Sequence, residues 1–188
     1  NENCMRKREF LDTFAEHYET GDKIPQDLID KLMNAQTYLS AYYCMRQLSF
    51  GLLDMAYHTL GAPKAARAGQ EVEVLYPELK DLQKFENNAM APTQLLPVVD
   101  GTMMSTMFTH LFSGGSAAGY YGYKWAEVLD ADAFSVFEKE GIFNRETAKR
   151  FRHLLESGDT EAPDVLYRDF KGSDPSVDAL MRRDGIKQ

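Results

Sequence analysis

Apolar positions along the chain recur mostly at helical spacing. Met5, Phe10, Leu11, Phe14, Ala15 and Tyr18 predict a first helix over 3–18, stopped by Gly21. Pro25, followed by Asp27 and Asp30, reads as a helix start with acids placed to favour the dipole. From there Leu28, Leu32, Ala35, Leu39, Tyr42, Met45, Leu48, Leu52 and Met55 predict one long helix to about Leu60, ended by Gly61 and Pro63. Gly51 inside it costs about 1 kcal/mol relative to alanine and is expected to mark close packing against a neighbour.

A small basic loop over 64–70 leads into a helix over 70–86, interrupted by Pro77. Residues 90–101, with two prolines and an Asp-Gly turn, read as an irregular crossing segment. MMSTMFTHLF and a glycine-rich stretch over 113–119 then precede a helix from about Ala117 to Glu140. Asn144 is placed to cap the next helix and Gly158 to stop it; a further helix runs through Val165–Phe170 to Gly172, and Pro175 opens the last. No run alternates apolar and polar residues long enough to predict a strand, and no repeat is present. The fold class is all-α, as one helical body over 1–188.

Composition narrows the partners. With 188 residues, 44% hydrophobic and 27% charged, the chain is long enough for a packed core. A net charge of −8 argues against nucleic acid or an anionic membrane, both of which need a basic patch. No apolar run approaches the roughly 20 residues that span a bilayer. The start, NENCMRKREF, has no apolar core of a signal peptide; it also lacks an initiator Met and opens close to a helical pattern, so the chain is expected to be part of something longer. Cys4 and Cys44 lie in no paired spacing and are expected to stay reduced, in the cytoplasm.

Candidate chemistry is sparse. The histidines His17, His58, His110 and His153 are isolated and HExxH is absent. Asp54 with His58, and His153 with Glu156, have helical ligand spacing, but zinc needs three or four converging ligands, so no metal site is expected within the chain. Ser105, Ser113 and Ser116 lie near His110 without a GxSxG elbow, and GGSAAG matches neither phosphate-binding glycine pattern. What remains is His110 with Tyr120, Tyr121 and Tyr123, after Gly114, Gly115 and Gly119. Tyr120 and Tyr123 share a helix face. Tyrosine is a neutral donor that can hydrogen-bond a developing oxyanion, and the glycines let backbone approach a bound chain. The same pattern also describes an aromatic helix face buried in a core, and spacing leaves both readings open.

The run MFTHLFSGGSAAGYYGYKWAEVLDADAFSVFEKEGIFNRET closely resembles the carboxy-terminal region of the thimet oligopeptidase, oligopeptidase A and peptidyl-dipeptidase family of zinc metallopeptidases. The family pattern F-x-H-x-F-x-G-G-Y-x-A-G-Y-Y-x-Y-x-W is met at nearly every fixed place, and the tail DALMRRDGIKQ is similar to the family's terminus. The resemblance implies the helical carboxy-terminal part of a larger peptidase with a deep channel, acting on short peptides. It implies zinc in the parent enzyme, held by HExxH and a later glutamate upstream of Asn1, with the amino-terminal remainder as partner and no activity in this fragment alone. It implies Tyr123 as the catalytic oxyanion donor, and His110, Tyr120 and the loop Gly114, Gly115 and Gly119 as substrate-binding. Ser116 stands where the family has a substrate-binding tyrosine, which bears on loop function and specificity. A freestanding, non-catalytic interaction protein derived from such a peptidase is the alternative, and the sequence does not separate endopeptidase from dipeptidyl-carboxypeptidase action.

Overall fold

A computed structural model describes residues 2–60 and 79–187. Eight α-helices are present among them: α1 (Arg8–Leu11), α2 (Gln26–Gln36), α3 (Ser40–His58), α4 (Leu82–Met90), α5 (Gly122–Glu140), α6 (Arg145–Glu156), α7 (Pro163–Lys171) and α8 (Asp178–Arg183). The described residues form no strand; one isolated bridge joins Glu16 and Lys23. The helical class therefore matches the periodicity. The predicted loop over 64–70, most of the helix over 70–86 and its break at Pro77 lie outside the described residues.

Contacts divide the chain into two units, Asn1–Ser40 with Trp125–Gln188, and Ala41–Lys124. In the first, α5 buries Val128, Ala131, Asp132 and Val136, one helical face. Val128 and Ala131 pack on Ala179 and Leu180 of α8. Phe137, Phe151 and Phe170 meet edge to face or tilted, at centroid separations of 5.3–6.1 Å, and join α5, α6 and α7. Beneath them the buried Asp132 carboxylate accepts from the Tyr167 hydroxyl (2.7 Å), the Lys171 ammonium (2.5 Å) and the Ser176 amide (3.1 Å). Burial, and then donation to Asp132, push the Tyr167 phenol up from its usual pKa.

Two end signals of the later helices act as read: Asn144 Oδ1 accepts from the amides of Glu146 and Thr147, and Gly172 closes α7 at φ +86°. Pro163, at the first position of α7, is a start signal that the periodicity did not supply. Other boundaries differ. The first helix stops at Leu11 instead of running to Tyr18: the Thr13 hydroxyl bonds the Phe10 carbonyl, and Gly21 at φ +75° turns the chain back so that His17 N–H reaches Asp22 O. The apolar spacing is satisfied there by a turn, with Phe10 against Phe14 and Phe143.

The long helix of 25–60 is two helices, because Leu39 adopts φ +56°. The break seats Ser40 Oγ on the Asp184 carbonyl (3.2 Å), with Thr37 against Gly185. Helix α4, capped by Asp81, runs past Glu86 to Met90. Helix α8 starts after Pro175, since the Ser176 amide is drawn to Asp132.

Gly51 also departs from expectation. Among the described residues a methyl group built there meets nothing within 4 Å, so no close neighbour among them requires glycine. Replacing Gly51 by alanine is expected to raise stability by about 0.5–1 kcal/mol, read as a higher urea midpoint at unchanged m-value. A lower midpoint would show that the site does require glycine.

Candidate active-site wall

The second unit contains all of the candidate residues. Helix α3 presents Gln47, Phe50, Asp54 and Tyr57 at i, i+3, i+7 and i+10, a single face. Against it lies the segment 104–123, which begins with two single 3-10 turns, Met104–Thr106 and Thr109–Leu111. Leu111 is fully buried and pins the second turn. His110, next to it, places its ring 5.5 Å from that of Tyr120 and 5.8 Å from that of Tyr123, and Tyr120 and Tyr123 stand 5.0 Å apart. Phe50 and Phe108 close the group from behind, each in ring contact with Tyr120.

The two tyrosines are not alike. Tyr120 is 8% exposed and its hydroxyl donates to Gln47 Oε1 at 2.9 Å. Burial first, then proximity to Tyr123, hold its phenol above the usual pKa, so it keeps its proton. Its one hydrogen being given to Gln47, the oxygen faces any ligand as an acceptor. Tyr123 is 52% exposed, in the first turn of α5. Tyr121 is 65% exposed. An apolar hollow of about 330 Å³ opens beside them, lined among others by Leu48, Gly51, Leu52, Met55, Tyr120 and Tyr121.

Helix α5 begins at Gly122 and not at Ala117, so Tyr120 lies in the turn before it. A backbone bond from Tyr123 N–H to Tyr120 O (3.1 Å) still sets the two side chains on the same side. The turn exists because the Asp54 carboxylate, 1% exposed, accepts from the amides of Ala118 and Tyr120, both at 3.0 Å. Ala118 sits at φ +56°, an uncommon conformation for a residue with a Cβ. His58 Nδ1 lies 3.0 Å from Asp54 Oδ1.

At the other end of the segment the buried Glu86 carboxylate accepts from the amides of Met104 (2.7 Å) and Ser105 (2.6 Å) and from the Ser105 hydroxyl, which also receives the Tyr57 hydroxyl. Two buried carboxylates thus grip the main chain on either side of an exposed arch. In that arch Gly114 and Gly115 both adopt φ +76°, which a side chain would strain. A Cβ on Gly119 would come within 3.5 Å of the Ser116 carbonyl.

Sequence reasoning assembled His110, Tyr120, Tyr123 and the glycines but missed Gln47, Asp54 and Glu86 as their supports. The signal for Asp54 was an acid inside the apolar run GLLDMA; Glu86 carried none. The Asp54–His58 spacing is a contact inside the protein. Among the described residues no three His, Cys, Asp or Glu side chains converge where a metal ion could sit. No helix among the described residues is long and apolar enough to cross a membrane.

The profile of peptidase family M3 matches residues 1–186. The chain belongs to peptidase family M3. Over 187 residues it is 40% identical to oligopeptidase A of Escherichia coli (strain K12), covering 99% of this chain. It is 36% identical over 190 residues to the organellar oligopeptidase A, chloroplastic/mitochondrial, of Arabidopsis thaliana, covering 98% of the chain and 22% of that relative. Dipeptidyl carboxypeptidase of Escherichia coli (strain K12) is 31% identical over 188 residues, covering 99% of the chain. The M3 chain spans about a quarter, 26%, of the length of the two Escherichia coli relatives.

Proposed function

We propose that this chain is the substrate-binding and oxyanion-stabilising part of a zinc-dependent oligopeptidase that hydrolyses short peptides. The observation that carries the reading is the grouping of the His110, Tyr120 and Tyr123 rings, with Tyr123 half exposed, beside a glycine arch, in a family M3 chain. In this reading His110 hydrogen-bonds the peptide near the bond to be cut and Tyr120 accepts from it. Tyr123 donates to the carbonyl oxygen as negative charge develops, while Gly114, Gly115 and Gly119 let the arch close over the peptide backbone. Zinc and the groups that hold it belong to the amino-terminal remainder of the peptidase, without which this part is inactive. A cytoplasmic site of action belongs to the same reading, supported by the relative named "Probable cytosolic oligopeptidase A".

His110→Phe tests the binding half of the proposal, since it keeps a ring among Phe108, Tyr120 and Tyr123 and removes only the nitrogens. In the intact peptidase KM for a short peptide is expected to rise about threefold to tenfold, the worth of one neutral hydrogen bond. An unchanged KM would remove His110 from substrate binding.

A further inference from the structure

We propose that Asp54 is a positioning residue for the tyrosine pair: its carboxylate fixes the turn at 118–120 and thereby where the Tyr123 hydroxyl stands relative to His110. The inference rests on the reading that Tyr123 serves the reacting carbonyl. Asp54 lies on α3 beside the fully buried Leu53, where an ionised side chain needs partners. Two main-chain amides serve it, Ala118 on Oδ1 and Tyr120 on Oδ2, while His58 Nδ1 lies 3.0 Å from Oδ1 and 2.8 Å from the Asp54 carbonyl oxygen. Both amides are donors, and a carboxylate is an acceptor only.

The path to the candidate site is short. Asp54 holds the Tyr120 N–H, and the Tyr120 carbonyl accepts the Tyr123 N–H, so one turn of backbone separates the carboxylate from the half-exposed Tyr123. The same carboxylate holds Ala118 in its left-handed conformation. Glu86 supplies an internal comparison. It is also buried and also takes two main-chain amides, but on the far side of the glycine arch.

Asp54→Asn preserves size and replaces one acceptor oxygen by an NH2 donor. Whichever way the amide turns, a donor faces a donor. In the intact peptidase this variant is expected to lower kcat on the order of 10- to 100-fold with KM changing much less, as for a reacting group displaced by a fraction of an ångström. On a Tyr123→Phe background it should lower kcat by less than about threefold more, because Tyr123 is the member of the pair that serves the developing charge, while Tyr120 serves binding. Glu86→Gln should multiply with Tyr123→Phe instead. Amide hydrogen exchange across 118–120 should quicken in Asp54→Asn and hold steady in Glu86→Gln.

If Asp54→Asn and Tyr123→Phe multiply, or if exchange at 118–120 is unchanged, the positioning role is overturned. A silent Tyr123→Phe would remove the oxyanion reading alone, and the exchange measurement would still decide what Asp54 does to the turn. Should the Asn variant not fold, His58→Ala removes the imidazole 3.0 Å from the carboxylate and leaves the carboxylate itself. It is then expected to lower kcat several-fold by itself and not at all on Tyr123→Phe, and multiplication there would equally overturn the role.

Discussion

Replacing Tyr123 by phenylalanine in the intact peptidase is expected to lower kcat by about 100- to 1,000-fold, the usual loss when one oxyanion donor is removed. The substitution deletes a single oxygen. The ring keeps its place 5.0 Å from Tyr120 and 5.8 Å from His110, and at 52% exposure little packing depends on the hydroxyl. Stability should therefore stay within about 0.5 kcal/mol of the parent. KM should move little, because the hydroxyl meets full negative charge only in the transition state. Steady-state kinetics on a short peptide read both constants, and a kcat within about threefold of the parent would rule out the oxyanion role.

The largest stability effect is expected in the other unit. Asp132→Ala should destabilise the fold by about 3–5 kcal/mol, since it leaves the Lys171 ammonium without its carboxylate inside the protein. Both side chains are well shielded, at 5% and 13% exposure, so screening by water does little to soften the loss. The Tyr167 hydroxyl and the Ser176 amide lose their acceptor in the same step. Urea unfolding measures the change; a shift below about 1 kcal/mol would mean that water or a rearranged neighbour replaces the carboxylate.

Asp132, with Asp54 and Glu86, marks where sequence reading stops. Helix existence was legible because apolar residues at 3.6-residue spacing have no other way to be buried together. Caps were legible because Asn144 and Gly172 act on their immediate neighbours. Breaks at Leu39 and Ala118 were not. Each meets a partner distant in sequence: Asp184 for Ser40, and Asp54 for the amides at 118 and 120. The tyrosine and histidine group was legible as a motif, since the motif is local. Its supports come from α3 and α4, where an acid in an apolar run signals burial without naming what it holds.

The paired grip of Asp54 and Glu86 has a consequence for how such a site diverges. Both carboxylates take hold of main-chain N–H groups, at Met104 and Ser105 on one side and Ala118 and Tyr120 on the other. Main-chain groups are the same whatever the residue. Side chains within the arch can therefore be exchanged by mutation while the ends that carry His110 and Tyr123 stay registered. On the proposed reading, Ser116, where the resembled family pattern has tyrosine, is an exchange of that kind: it alters the arch and leaves the anchoring hydrogen bonds in place.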